Sequence, residues 1–166
     1  MSARTFNVLV LCTGNSARSI LGEALFKHLG AGRIRAFSAG SRPSGQVNPV
    51  ALETLEKHGI PLPDARSKSW DEFAAPGAPE IDFIFTVCAS AAGEACPLWL
   101  GHPTTAHWGI ADPAHVEPLS ARRAAFETAY RLLHQRIEAF MTLPLDTLSA
   151  AAIKLAAEKI HRECEA

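Results

Sequence analysis

Two hydrophobic textures alternate along this chain: short, nearly unbroken apolar runs, and longer stretches in which apolar residues recur every three or four positions. Phe6 to Leu11 (FNVLVL) is a run of the first kind, the pattern of a central parallel strand buried on both faces. A polar turn from Cys12 to Ala17 follows. Ser19 to Leu29 then carries Leu21, Leu25 and Leu29 on one helical face and stops at Gly30, a residue that readily ends helices. Strand, tight turn and helix together open a βαβ unit. Ile34 to Ala39 reads as a second strand, Gly40 to Gln46 as a Ser/Gly/Pro-rich loop, and Asn48-Pro49 as the start of a helix over Val50 to His58. Phe83 to Val87 is a third buried strand ending at Cys88, and Thr104 to Trp108 a shorter fourth.

The last third is helical. Phe126, Tyr130, Leu133, Ile137 and Phe140 form a core-facing stripe that Pro144 interrupts, and Leu145, Leu148, Ala152, Leu155 and Ile160 predict an additional amphipathic helix over about 144–164. No repeat, low-complexity linker or charge block divides the chain, so one α/β domain over residues 1–166 is expected.

Composition narrows the function classes. With 166 residues, 48% of them hydrophobic, the chain can bury a core without staples. Sixteen Lys and Arg against 17 Asp and Glu, scattered rather than clustered, leave a net charge of -1 and no footprint for nucleic acid or an anionic membrane. The apolar run Val8 to Leu11, behind a lone Arg4, is too short for a signal-peptide core or a span, so a cytoplasmic location and a monomer are expected. The four cysteines, at 12, 88, 96 and 164, include no Cys-x-x-Cys pair. Neither a structural metal nor a cofactor is expected, and in a reducing cytosol the thiols stay free.

Chemistry concentrates after the first strand. Cys12-Thr13-Gly14-Asn15-Ser16-Ala17-Arg18-Ser19 sets a thiol and a guanidinium six residues apart across a turn of small residues. The amides of such a loop and the start of the next helix aim donors at one spot, where a tetrahedral oxyanion fits. Arg18 adds a planar fork. The same positive field favours thiolate over thiol, so Cys12 is expected to be a nucleophile at neutral pH.

Cys-Thr-Gly-Asn-Ser-x-Arg-Ser after a hydrophobic strand resembles the phosphate-binding loop of the low-molecular-weight protein tyrosine phosphatase superfamily, which includes arsenate reductases. Ser38-Ala39-Gly40, Thr86-Val87-Cys88 and His107-Trp108-Gly109-x-x-Asp112-Pro113 extend the resemblance over the first 115 residues or so. It implies a three-layer α/β sandwich around a four-stranded parallel sheet of order 2-1-3-4, with the site at the carboxyl ends of the strands. It also implies that Thr13 to Ser19 bind the oxyanion, that Cys12 attacks it beside Arg18, and that Asp112 protonates the leaving group.

Further cysteines separate the two branches. A phosphatase hydrolyses a phospho-cysteine with water. A reductase breaks a Cys-arsenic bond with a second thiol. The resemblance implies that Cys88 is that thiol and that Cys96 then attacks Cys88, leaving a disulfide for thioredoxin, or for glutaredoxin with glutathione, to reduce. Residues 89–95 read as a short helix; wound, it would hold the two cysteines about 12 Å apart at about 1.5 Å rise per residue, too far for a disulfide, so it must unwind. Ala114-His115 after Asp-Pro supply no aromatic clamp for a phosphotyrosine ring. A low-molecular-weight tyrosine phosphatase is the alternative, and a non-enzymatic anion-binding module would require Cys12 to be idle.

Three features complete the pattern. Asn15 and Ser38 are expected to shape the loop. Some reductases of the superfamily bind a structural potassium ion, and Glu23 and Ser38 match that site, but Lys68 stands where a second acid would be. Its ammonium can take the cation's place, which predicts activity equal in potassium and sodium. Cys164, near the chain's end, is expected to lie outside the relay.

Overall fold

A computed structural model describes residues 5–88 and 103–164. Four strands, β1 (Phe6–Leu11), β2 (Ile34–Ala39), β3 (Phe83–Thr86) and β4 (Thr104–His107), pair in parallel in the order β2-β1-β3-β4. The helices are α1 (Arg18–Leu29), α2 (Pro49–Lys57), α3 (Leu119–Met141) and α4 (Ala150–Glu163), with a 3-10 turn at Trp70–Phe73. This is the α/β architecture that the alternation of strand and helix predicts and the strand order that the resemblance implies. β3 and β4 each stop one residue earlier than their apolar runs, because Val87 and Trp108 already turn into loops. The proposed helix over 89–95, and Cys96 itself, lie outside the described residues.

Register puts the site where it is. Leu11 stands opposite both Ala39 and Thr86, and Thr86 opposite His107, so all four strands end at one level. The segments that follow, starting at Cys12, Gly40, Val87 and Trp108, therefore share one rim. Beneath it, the face of the sheet turned toward α1 and α3 is packed with rings: Phe85 lies 5.3 Å from Phe26, 4.1 Å from Trp108 and 5.1 Å from Phe140. Phe26, Phe140 and Trp108 are fully buried, and such clusters supply large apolar area with fixed geometry.

The end of the chain departs from the periodicity reading. Residues 144–148 form a turn, and α4 starts at Ala150 behind the Ser149 cap, whose side chain accepts from Ala152 N–H at 3.1 Å. Its buried face is Ile153, Ala157 and Ile160, whereas Leu155, read as part of the apolar stripe, is 68% exposed. Leu145 and Ile160 are buried as the stripe predicts, and it fails at Leu155, whose place on the inner face Ile153 and Ala157 take. No described helix is long and apolar enough to cross a membrane.

Arg136 interrupts the apolar face of α3 and is 2% exposed. It donates to the carbonyls of Trp108 (3.1 Å), Gly109 (3.2 Å) and Cys164 (3.3 Å), tying the root of the Asp112 loop to the end of α4. Removing its donors orphans these carbonyls, at a typical cost of 1–3 kcal/mol for a buried group. Arg136→Leu is expected to lower the unfolding free energy by about 2–4 kcal/mol. Denaturant titration checks this against exposed Lys159→Ala, which should be neutral.

Candidate active site

The loop from Cys12 to Ala17 is built carbonyls outward. Thr13 O accepts from Arg42 N–H and Gly14 O from Ser44 N–H, both at 3.0 Å, and Ser16 O from Asn48 N–H at 2.8 Å. Ser67 Oγ adds a second donor to Gly14 O at 3.1 Å. With its oxygens engaged on the outside, the loop aims two amides at sulfur, Gly14 N–H at Cys12 and Thr13 N–H at Cys88. Gly40 is required here because any side chain on it would run into the carbonyl oxygens of Cys12 and Thr13.

Asn15 is the hub. It takes a positive φ of 45°, which asparagine tolerates better than most residues. Its side chain donates to Ser19 Oγ (2.7 Å) and Ser38 Oγ (3.0 Å) and accepts from Lys68 N–H (2.9 Å). Ser38 Oγ donates in turn to Glu23 Oε1 at 2.5 Å. The buried Glu23 carboxylate is met by Lys27 at 3.0 Å and by Lys68 at 3.8 Å. Lys68 also donates to Arg66 O at 2.9 Å, and burial pushes its pKa down although Glu23 opposes this. Two ammoniums already face the carboxylate, so these residues do not fit a potassium ion.

Cys12 and Cys88 are both buried, and their sulfurs meet at the rim. Thr13 N–H donates to Cys88 Sγ at 3.3 Å, and Thr13 Oγ1 lies 3.5 Å from the same sulfur. The Cys88 sulfur, hydrogen bonded to Cys12, and then burial push the Cys12 thiol well above the ordinary range, while Arg18 and the Gly14 amide pull it down. The second sulfur thus opposes the ionisation of Cys12 that Arg18 and the Gly14 amide favour. The resemblance brings Cys88 to the same rim, but no sequence signal shows its sulfur bonded to Cys12 and competing for the same proton.

Arg18, the first residue of α1, reaches across to the loop after β4, donating from Nη1 to Ile110 O at 2.9 Å and standing 3.6 Å from Asp112 Oδ2. Asp112 Oδ1 accepts from Ala114 N–H at 2.9 Å, an Asx turn that orients the carboxyl. Cys12, Arg18, Cys88 and Asp112 thus converge with the loop, and Cys96 falls outside the described residues. Cys164, half-buried just after α4, takes part through its carbonyl rather than its sulfur. The roles of Thr13 and Ser67 were missed. Thr13 belongs to the recognised motif, but nothing in its spacing shows that it faces Cys88, and Ser67 lies too far along the chain for a local pattern.

Known proteins resemble the chain over most of its length. The arsenate reductase of Shouchella clausii is 35% identical over 116 residues, covering 70% of this chain and 80% of the relative. A solved arsenate reductase in its phosphate-binding state superposes with a TM-score of 0.63 at 27% identity, covering 80% of this chain and 97% of that one. A tyrosine phosphatase of Erwinia amylovora gives 0.56 at 25% identity, covering 81% and 89%. The model of the low molecular weight phosphotyrosine protein phosphatase family matches residues 7–158, and with its loop, rim and strand order the chain belongs to that family.

Proposed function

We propose that the protein reduces arsenate to arsenite through a thiol relay that begins at Cys12 and passes to Cys88. The observation that carries this reading is the second sulfur: Cys88 stands within hydrogen-bonding reach of the loop that holds the nucleophile. A phosphatase needs water there rather than a thiol. The similarity to proteins named arsenate reductase supports the same branch.

The geometry at Cys12, Cys88 and Asp112 supports a stepwise reading. Arsenate lies among the loop amides of Thr13 to Ser19 with the Arg18 fork on its oxygens. The two sulfurs titrate as a pair that gives up one proton far more readily than two. With the remaining proton on Cys88, the Cys12 thiolate attacks arsenic, and Asp112 protonates the departing hydroxide so that water leaves. Cys88 then gives its proton to the Asp112 carboxylate through solvent, and its thiolate attacks the Cys12 sulfur. A Cys12–Cys88 disulfide forms, the arsenic-sulfur bond breaks, and its electron pair leaves with arsenite. Cys96 attacks Cys88, freeing Cys12, and thioredoxin reduces the resulting disulfide in the cytoplasm; glutaredoxin with glutathione is the other donor to test. Lys68 serves as the internal cation behind the loop, with no metal or cofactor required.

Arsenite production with thioredoxin, thioredoxin reductase and NADPH is expected for the wild type and lost in Cys88→Ser and Cys96→Ser. Phosphate-ester hydrolysis that dominates in the wild type and survives unchanged in both variants would instead mark a phosphatase. A second expectation concerns ionisation. Because Cys88 raises the Cys12 thiol, Cys88→Ala lowers it, so iodoacetamide should label Cys12 faster at neutral pH in the variant, with the midpoint of its pH-rate profile moved toward acid.

A further inference from the structure

Two reactive segments leave neighbouring strands at the rim, Cys88 after β3 and Asp112 after β4. Their roots are opposite one another, Thr86 facing His107. Main-chain bonds continue the ladder past both strands, from Trp108 N–H to Thr86 O at 2.7 Å and from Ile110 N–H to Val87 O at 3.0 Å.

The His107 ring adds a further tie. Its Nδ1 lies 2.8 Å from Thr86 Oγ1. Its opposite edge rests on the bare backbone of Gly109, where a Cβ would come within 2.8 Å of Nε2. The ring of His161, from α4, stands edge-on at 5.9 Å and closes another side. One ring thus touches the strand two residues before Cys88 and the loop three residues before Asp112.

The Asp112 carboxyl is oriented locally by Ala114 N–H and Arg18, and the root of its loop is tied by Arg136 and by Ile110 N–H, so the His107 ring adds to ties made on other sides of that root. The Asp112 side chain is 41% exposed, so packing does not hold the carboxyl. It stands where the main chain at Gly109 and Ile110 puts it, with Arg18 pulling on Ile110 O from the other side. A shift of about 1 Å in a group that must protonate a leaving oxygen can cost about 100-fold in rate.

We infer that His107 is a positioning residue of the Asp112 loop: bonded to Thr86 and wedged against Gly109, its ring sets where the Asp112 carboxyl stands relative to Cys12 and Arg18. The inference rests on the reading of Asp112 as the proton donor. His107 touches no substrate, so its loss should alter turnover rather than binding. Gly109 is glycine for the same reason, since a side chain there would evict the ring.

The test compares His107→Ala, His107→Asn, Thr86→Val and the double variant His107→Ala/Thr86→Val. His107→Ala should lower kcat for arsenate by about 10- to 100-fold and change KM by less than about threefold. Iodoacetamide should label Cys12 as in the wild type. Asparagine, which returns a hydrogen-bonding atom near the position of Nδ1, should recover most of kcat. Thr86→Val should cost little more once His107 is gone. Amide exchange reads the placement without turnover: at Ile110 to Asp112 it should quicken by about tenfold in His107→Ala and stay unchanged at Asn15 to Ser19. A kcat within about twofold of wild type, a parallel loss of Cys12 labelling, or no recovery by asparagine overturns the inference. Should the wild type make no arsenite, the arsenate reading fails, and the exchange result alone decides whether His107 places the loop.

Discussion

An oxyanion loop can turn its amides inward only if its carbonyls find donors elsewhere. That constraint organises the structure. Arg42, Ser44, Asn48 and Ser67 come from two later segments, and each gives a hydrogen to an oxygen of the loop. Asn15 then locks the shape from inside, at a backbone angle most side chains would resist. The residues proposed to cradle the anion are therefore held by residues outside the loop. Preorganised donors of this kind are effective because they need no reorganisation when charge develops.

Placing two thiols in one such cradle changes the chemistry. A lone cysteine beside Arg18 and inward-facing amides would ionise readily, but a second buried sulfur alongside it makes two negative charges too costly. In the proposed relay the pair shares one proton, and attack by one sulfur leaves that proton on the other. Thr13, with its amide and hydroxyl on Cys88, gives the charge a second place to rest. The order of events in the proposed relay, first Cys12 and then Cys88, follows from this alternation without any large movement of the loop.

Local signals in the sequence sufficed for the strands, the first two helices and the loop, because a buried run, a polar turn and a Gly stop act over a few residues. Recognition of the ordered motifs supplied the strand order and brought Asp112 and Cys88 to the loop. What escaped was set by tertiary contact. The second sulfur's effect on Cys12 requires knowing that Thr86 pairs with Leu11. Arg136 lies within the apolar face of α3, and a lone charge in such a stripe is a signal that could have pointed to a buried role. The stripe on α4 fails at Leu155 because Ile153 and Ala157 take the inner face.

The added helix α4 explains how such a rim stays in place. β4 is an edge strand, and an exposed edge invites both fraying and unwanted pairing. Lys154 donates to Thr105 O at 2.7 Å, and Trp108 Nε1 to Ala157 O at 2.9 Å, so the helix covers that edge along its length. The opposite edge, β2, is extended by pairing of Gly40 with Ser69. With α4 bonded at the β4 edge and Arg136 bonded to the first residues after β4, the sheet presents a fixed base from which the Asp112 loop departs. The placement of Asp112 is then a property of the strand ends and of the rings and guanidinium beneath them, together with the Ala114 amide that the carboxyl itself accepts from.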